Sequence, residues 1–369
     1  MFFRAMEKQK RLLSLDIARG FDMFFIMGVE ELGTVLFGLL GWEWMAKQMH
    51  HPYWHGFTFI DTVFPTFLFL AGLSSTFSLN SQREKGRSDL AIVLRIAKRV
   101  AVLIFFGLVY NGLLCDGFHD LRYASVLGRI GLSWGIAAVI YLYCGFKTRL
   151  ILAVLITAFS YAAMKYLPGL IGLQGDPLSL EGNILGFVDR FILPGYFVPS
   201  PGVFDVEGLA GTVPAVATAL LGTLVGDVVR RGDFLPKKKL AFLFLSGVAL
   251  VVLGLIVSLS FPINKKLWSP SFVLVTGGYS TLLFGLFYYL ADYKSYGKYL
   301  TFFKVIGMNS ITIYMLQSVV YLHYTNKFLF GAFASMFGGL EELVLCFTYT
   351  ALCWLILYFL YKKEIFLKV

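Results

Sequence analysis

Apolar segments long enough to cross a lipid bilayer recur along the whole chain, separated by short polar loops. A membrane-spanning helix needs about 20 apolar residues, because the hydrocarbon core is about 30 Å thick and each residue rises about 1.5 Å. We therefore predict an all-α, polytopic transmembrane helix bundle of about ten spans, with residues 1–369 as one integral-membrane domain. The predicted spans are 17–40, 57–79, 97–115, 123–143, 150–166, 209–229, 240–260, 270–291, 303–323 and 341–361.

The composition supports this reading. Hydrophobic residues make up 58% of the chain and charged residues 15%, against about 25% in soluble domains, and the mean hydropathy is +0.74. The apolar runs are too long for the strands of a membrane β-barrel and lack their alternating pattern. The four cysteines lie in or beside apolar runs without CxxC spacing, so we expect neither a disulfide framework nor a metal site.

Basic residues concentrate in alternate loops, which sets the expected orientation. The positive-inside rule places such loops in the cytoplasm. With ten spans both termini are then cytoplasmic, and the long Gly- and Pro-rich stretch at about 167–207 lies on the outer side. This distribution also explains the formal net charge of +10, so we expect no nucleic-acid partner. Residues 1–11 lack a short apolar region with a cleavage site, and we expect no removable signal peptide.

The most informative stretch carries histidines and leads directly into an apolar helix. It runs from His51 to Phe69 and contains Asp61 and Pro65. An ionisable group inside a membrane segment is costly, which indicates function, and histidine suits proton transfer near neutral pH. His51 is therefore a candidate catalytic base, with Asp61 fixing its orientation. The alternatives are an interfacial histidine packed on Trp54 and a carboxylate that caps the turn before Pro65.

The predicted topology sorts the other polar residues by face. Such clusters at both faces, with charges between them, indicate either transport across the membrane or chemistry across it. Arg129 lies within the bilayer and needs an anionic partner, for which Asp61 and Glu30 are candidates. The cytoplasmic group contains Asp16, Arg19, Arg99, Asn309 and Ser310, and the outer group contains His51, Asp61, Asp189, Arg190, Asp205, Glu207, Asn264 and Lys265.

Several short motifs, taken in order, carry a family resemblance. The chain resembles the heparan-α-glucosaminide N-acetyltransferases, a family of transmembrane acyltransferases with bacterial relatives. The motifs span nearly the whole chain. They are Ser14-Leu-Asp-Ile-Ala-Arg-Gly20, His51-Pro-Tyr-Trp-His-Gly56 continuing to Asp61 and Phe64-Pro65, Leu127-Gly-Arg-Ile130, Phe204-Asp-Val-Glu-Gly-Leu-Ala-Gly-Thr212, Asn264-Lys-Lys-Leu-Trp-Ser269 and Gly307-Met-Asn-Ser-Ile311.

The resemblance implies an enzyme of the bacterial inner membrane that takes acetyl-CoA from the cytoplasm. The acetyl group would pass to an amino sugar, or a sugar hydroxyl, at the periplasmic face. The family's active-site histidine falls on His51, as base or acetyl relay, and its aspartate falls on Asp61. Glu30 stands where the lysosomal enzyme has asparagine, which makes the acceptor environment more acidic. Membrane lipid and a second copy of the chain, as a homodimer, are further implied partners.

The remaining site predictions divide into two sets, each with an alternative. We predict coenzyme A contacts for Asp16, Arg19, Arg129, Asn309 and Ser310, and acceptor contacts for Glu30, Asp205, Glu207, Asn264, Lys265 and Trp268. For the first set, the alternatives are an Asp16–Arg19 pair and interhelical hydrogen bonds; for the second, loop caps and an interfacial aromatic belt. The rival function is a sugar or amino-sugar transporter.

Overall fold

The structure, a computed structural model, describes residues 12–195, 197–200 and 202–367. The expectation about a signal peptide rests on residues 1–11 and lies outside the described residues. Helices dominate the described chain: α1 Leu13–Phe24, α2 Glu30–Leu39, α3 Glu43–Gln48, α4 Val63–Glu84, α5 Asp89–Tyr110, α6 Leu113–Asp116, α7 Val126–Tyr143, α8 Phe146–Leu170, α9 Ile184–Ile192, α10 Thr212–Arg230, α11 Pro236–Ser258, α12 Pro270–Phe287, α13 Thr301–Met308, α14 Ser310–Val319, α15 Leu322–Ser335 and α16 Glu341–Lys362.

The predicted all-α transmembrane bundle is confirmed. Among the described residues, seven helices are long and apolar enough to cross a membrane, or eight if the bent pair α13 and α14 forms one span. The two other predicted spans are also helical, but each carries more charge: 17–40 corresponds to α1 and α2, and 97–115 to α5. The count of ten and the cytoplasmic termini stay predictions.

The first predicted span is a broken helix. A π-helical turn, Phe25–Val29, separates α1 from α2, and within it Gly28 has φ 130°. A side chain at Gly28 would meet the Thr350 hydroxyl at 2.8 Å, so only glycine lets α16 pack this closely. The amide of Gln317 donates to the Ile26 carbonyl at 3.1 Å, which satisfies a backbone group freed by the break.

The bundle has an inner and an outer layer. In the most apolar windows of the spans that contain α4 and α10, 78% and 83% of residues are buried. The corresponding values are 17% for α8 and α11 and 22% for α16, which leaves long apolar surfaces for a bilayer to cover. The catalytic candidates therefore lie in loops and helix ends held by the inner layer.

The basic helix ends share one end of the bundle, which we call the basic end. The guanidinium of Arg149 at the start of α8 bonds to Asp227 near the end of α10. Arg83 near the end of α4 donates to the Leu142 carbonyl at 2.7 Å. The opposite end, called the His51 end, holds residues 51–62 and the loop 167–207, where α9 and a short antiparallel pair (β1 Pro199–Ser200, β2 Phe204–Asp205) form.

Candidate active site

A cavity of about 270 Å³ lies at the His51 end, between six separate chain segments. It forms where the break in the first span faces the starts of α4 and α7 and the loop before α12. Among the predicted site residues, the cavity wall contains Glu30, His51, Asp61, Arg129, Glu207, Lys265 and Trp268. The fold thus brings together residues up to 238 positions apart in sequence. Asp205 and Asn264, which were also predicted to contact the acceptor, do not line the cavity.

His51 and Asp61 are directly bonded. The distance from His51 Nδ1 to Asp61 Oδ1 is 2.7 Å, and the Asp61 side chain is 1% exposed while that of His51 is 42% exposed. An ionised carboxylate only accepts hydrogen bonds, so Nδ1 carries the proton. The neutral ring then presents the lone pair of Nε2, the arrangement that a general base needs.

Local sequence explains why Asp61 is fixed. A 3₁₀ turn, Phe59–Thr62, precedes α4, and the Thr58 backbone N–H donates to Asp61 Oδ2 at 3.0 Å. The Thr58 hydroxyl lies 3.2 Å from the same oxygen and donates to the His50 carbonyl at 2.8 Å. Asp61 therefore caps the turn with one oxygen and holds His51 with the other, so the two interpretations of this residue are compatible.

Lys265 completes the cluster around His51. Its Nζ lies 2.9 Å from His51 Nε2 and 3.9 Å from Asp61 Oδ1. Burial lowers the pKa of Lys265, although the nearby Asp61, Glu207 and Glu30 carboxylates oppose the shift. As an ammonium it donates to the lone pair of Nε2, so it occupies the position that an acceptor amine needs.

Asn264 holds the loop that carries Lys265. Its side-chain oxygen accepts from the Leu267 N–H at 2.9 Å, and its amide lies 3.2 Å from His55 Nδ1. The Gly56 N–H also donates to the Ile263 carbonyl at 3.0 Å, which joins this loop to the histidine loop. Asn264 is fully buried and acts here as a loop cap.

Asp205 is also turned away from the cavity. It binds Arg122 through two hydrogen bonds of 2.8 and 2.6 Å and accepts from the Val198 and Glu207 backbone N–H groups. Glu207 bonds to the same guanidinium and also reaches the cavity wall. Burial opposes the charge of Arg122, but the two carboxylates prevail and raise its pKa.

Arg129 lies in the first turn of α7, not one and a half turns into the helix as the predicted span implied, because α7 begins at Val126. Its guanidinium donates to the Gly208 carbonyl at 2.8 Å and lies 5.6 Å from the centre of the Trp268 ring. The Nε atom is buried without a hydrogen-bond partner among the described residues. The cavity wall thus contains a buried cation with one N–H donor that has no partner in the described part of the chain.

Trp268 is fully buried and forms the base of the cavity wall. Its ring packs edge-on against Phe64 and Phe272, and its indole N–H donates to the Thr218 hydroxyl at 3.1 Å. A φ of 52° at Trp268, rare for a bulky residue, turns the ring inward at the end of the lysine loop. The residue is therefore part of the core rather than of an interfacial aromatic belt.

The predicted coenzyme A residues other than Arg129 lie towards the basic end. Gly20 and Gly307, from two of the sequence motifs, meet where α1 crosses α13; a side chain on Gly307 would reach 1.8 Å from the Asp16 carbonyl. This contact brings Asp16 and Arg19 near Asn309 and Ser310. Asp16 also lines a cavity of about 430 Å³, together with Asp292 and Lys304.

Asn309 and Ser310 have different surroundings. The Asn309 amide donates to the Ile365 carbonyl at 2.9 Å, and its oxygen accepts from the Leu367 N–H at 3.2 Å. It therefore ties the bend between α13 and α14, which measures 52°, to the segment after α16. Ser310 instead lines a second cavity of about 40 Å³ that adjoins the first.

Sequence reasoning gave no site role to four residues that shape the site: Thr58, Arg122, Lys266 and Tyr314. Thr58 and Asp61 have the three-residue spacing of a capping box, so this signal is present in the sequence. Lys266 lies in a recognised motif and reaches both the Tyr53 carbonyl and the cavity wall. Nothing in the single sequence marks Arg122 or Tyr314. No group of His, Cys, Asp and Glu residues in the described ranges could hold a metal ion.

Two comparisons place this geometry beside known proteins. A family described as "Domain of unknown function (DUF5009)" matches residues 11–113. The heparan-alpha-glucosaminide N-acetyltransferases of Homo sapiens and Mus musculus are each 27% identical to this chain, over 412 and 414 aligned residues and 97% of its length. The chain spans 60% of the length of those relatives. The resemblance seen in the motifs is thus confirmed: nearly the whole chain is similar to heparan-alpha-glucosaminide N-acetyltransferases.

Proposed function

We propose that this protein is a membrane acetyltransferase that moves the acetyl group of cytoplasmic acetyl-CoA to an amino sugar, or a sugar hydroxyl, at the periplasmic face. The observation that carries the proposal is the Asp61–His51 pair, with Nε2 at the wall of a cavity large enough for a small acceptor. The similarity to N-acetyltransferases over 97% of the chain supports the reaction class. We place the protein in a bacterial inner membrane, covered by lipid and paired with a second copy.

In the proposed reaction, His51 accepts the proton that the acceptor amine loses as it attacks the thioester carbonyl. The bond from nitrogen to the acetyl carbon forms, the carbon–sulfur bond breaks, and the proton passes from His51 to the departing thiolate. Asp61 keeps the proton on Nδ1 and stabilises the imidazolium. A relay by acetylation of Nε2 satisfies the same balance in two steps, because the ring releases the acetyl group to the acceptor.

The acceptor must take the place of Lys265. While the Lys265 ammonium lies 2.9 Å from Nε2, the lone pair is engaged and cannot take a proton. An acceptor amine held by Glu30 and Glu207 on the cavity wall would displace it and bring its own N–H groups to Nε2. The displaced ammonium stays within reach of the Asp61 carboxylate and can stabilise the charge on the thioester oxygen.

The fit of coenzyme A rests on the two cavities and on Asp16 and Arg19. The cavity beside Asp16 contains Lys304, a cation suited to a phosphate. The small cavity beside Ser310 is lined mainly by apolar side chains, which suit the methylene groups of a pantetheine arm, and Ser310 and Tyr314 carry hydroxyls that could bond to its amides. The Arg129 side chain on the cavity wall offers a cationic donor group for the amide or thioester oxygen. Positioning and exclusion of water would supply most of the catalysis.

A transporter remains the rival, and one observation favours it. The first span breaks at Phe25–Val29 and the ninth bends by 52° at Asn309, and paired broken helices at a central cavity are typical of secondary transporters. Acetyl-CoA separates the two functions, because a sugar transporter has no reason to bind it.

The test is transfer of radiolabelled acetyl from acetyl-CoA to glucosamine-type acceptors by the purified protein, with coenzyme A binding measured in parallel. We expect labelled N-acetyl product and saturable binding. Binding without transfer to an amine would redirect the search to hydroxyl acceptors. If the protein neither binds coenzyme A nor transfers acetyl groups, the proposed acetyltransferase function is contradicted and the transporter is the function to test next.

A further inference from the structure

The His51 cavity adjoins the smaller cavity beside Ser310, and four side chains lie between them. Ile26, Phe64, Val126 and Tyr314 line both cavities, and we call this set the collar. They come from the break in the first span, α4, α7 and α14. The collar is therefore the surface that any group must pass when it moves between the two cavities.

The smaller cavity lies nearer the basic end, as the order of the lining residues along the helices indicates. On α4 and α7, which run away from the His51 end, its additional lining residues are Phe67, Leu127 and Ile130, beyond Phe64 and Val126. On α1 and α14, which run towards that end, they are Met23 and Ser310, before Ile26 and Tyr314. Three or four helical residues correspond to about 5 Å, so the smaller cavity lies roughly one turn closer to the cytoplasm.

The two cavities differ in size and in chemistry. The His51 cavity, the upper one, has a volume of about 270 Å³ and is lined by several charged side chains. The cavity beside Ser310, the lower one, has a volume of about 40 Å³, room for roughly three water molecules. Apart from the hydroxyls of Ser310 and Tyr314, the lower wall is apolar.

Tyr314 is the residue of the collar best placed to set its width. Its ring stacks on Tyr110, the last residue of α5, with ring centres 4.6 Å apart and planes inclined by 18°. The Tyr110 carbonyl in turn accepts from the Ser318 hydroxyl one turn further along α14. The ring is thus held by a neighbouring helix, so the passage does not widen by simple rotation of a free side chain.

We propose that the collar selects the acyl donor by cross-section, with Tyr314 admitting unbranched acyl thioesters and excluding those branched beside the carbonyl. This inference rests on the proposed acyl transfer and adds its donor class. The transfer step is the same for every donor: the bond from acceptor to acyl carbon forms, the bond from acyl carbon to sulfur breaks, and the proton reaches the thiolate. Only passage to His51 differs.

The test compares two donors of identical composition, butyryl-CoA and isobutyryl-CoA. We expect the wild-type protein to prefer the unbranched isomer by about 10- to 200-fold in kcat/KM, the range for one misplaced methyl group in an apolar pocket. Tyr314→Phe keeps the ring and should keep the preference. Tyr314→Ala should bring the ratio close to one, and Tyr314→Leu gives an intermediate opening if the alanine variant does not fold.

The matched control is Tyr324→Ala, at an exposed tyrosine on α15 that lines neither of the two cavities. It should leave the isomer ratio unchanged. The proposal is overturned if Tyr314→Ala and Tyr314→Leu transfer butyryl groups with the wild-type ratio, or if the wild-type protein does not distinguish the isomers.

A second measurement keeps the collar testable if the protein transfers no acyl group at all. In a variant with all four cysteines replaced by serine, Ser310→Cys places a thiol in the lower cavity. Each rate is divided by the rate of the same reagent with a free small thiol, because the tert-butyl reagent is intrinsically slower. The normalised rate should be higher for the linear ethyl methanethiosulfonate than for the tert-butyl reagent, and Tyr314→Ala should remove this difference. Equal normalised rates before the Tyr314 change would contradict the collar, whereas failure of acyl transfer alone contradicts only the proposed function.

Discussion

Two ion clusters lie at the His51 end, and they differ in what they leave open. In the His51–Asp61–Lys265 cluster the carboxylate is 1% exposed, but the imidazole is 42% exposed, and its Nε2 atom lies 2.9 Å from the Lys265 Nζ. In the cluster of Arg122, Asp205 and Glu207, Asp205 has no exposed surface and accepts four hydrogen bonds from side chains and backbone.

The comparison separates chemistry from support. A saturated, buried carboxylate cannot exchange partners without a large cost, so the Arg122 cluster fixes the loop that carries Glu207. A partly exposed ring with an available lone pair can exchange partners with a substrate. We therefore expect substitutions in the first cluster to lower activity without unfolding, and substitutions in the second to lower stability first.

The largest expected effect is that of His51→Ala. Loss of the proposed base should lower kcat by about 10²- to 10⁴-fold, measured as acetyl transfer at saturating acetyl-CoA. His50→Ala is the matched control, because the His50 side chain is exposed and absent from the cavity wall. Equal activities for the two variants would show that His51 does not act as the catalytic base.

The second prediction concerns Arg122→Ala, which leaves Asp205 buried without its cation. We expect the free energy of unfolding to fall by about 3–5 kcal/mol, measured by denaturation in detergent. Asp89→Asn weakens the pair of Arg83 and Asp89, whose side chains are 38% and 41% exposed, and it should cost no more than about 1 kcal/mol. Similar losses in the two variants would remove the distinction between a saturated and a solvated pair.

The third prediction sharpens the role of Asp61. In Asp61→Asn one side-chain atom can still accept from the Thr58 N–H, but the amide cannot hold the same His51 tautomer. Activity should fall by about 10- to 100-fold, with the unfolding temperature nearly unchanged. A large loss of stability with normal activity would assign Asp61 to turn capping alone.

The smallest effect concerns Asp189, a third buried carboxylate beside the second cluster. Burial raises its pKa to about 6, although the Ala210 N–H and Arg129 act in the opposite direction. The folded protein therefore holds this proton more tightly than the unfolded chain, whose carboxyl titrates near 4. The free energy of unfolding should fall as pH rises from about 4 to about 6, by up to about 3 kcal/mol, and then level off.

Asp189→Asn should flatten this pH dependence, whereas Asp176→Asn, at an exposed carboxyl, should leave it as it is. The measurement is the unfolding temperature across pH 4 to 7. A slope that persists in Asp189→Asn would mean that another group causes it.

The sequence predicted the helical segments well, because apolar length is a strong signal in membrane proteins. It did not predict the breaks at Gly28 and Asn309. Each depends on a partner distant in sequence: α16 packs against Gly28, and the Asn309 side chain binds backbone near Ile365. Tertiary contacts of this kind leave no periodicity in the chain.

The site was predictable where chemistry and local spacing coincide. His51 and Asp61 are ten residues apart and meet through one turn, whereas the contact of Lys265 with His51 joins positions 214 apart. Asp205 and Asn264 were expected at the acceptor, yet the structure places them in loop-holding roles. In the sequence, a polar residue that contacts a ligand cannot be distinguished from one that holds the loop around the binding site. Only the direction of the side chain in the folded protein distinguishes them.

The most direct test of the account is transfer across a sealed membrane. Proteoliposomes would contain glucosamine inside and receive radiolabelled acetyl-CoA outside, with the His51→Ala protein as the blank. The account predicts labelled N-acetylglucosamine inside the vesicles for the wild-type protein alone. Product that forms only when acetyl-CoA and glucosamine share one side of the membrane would contradict it.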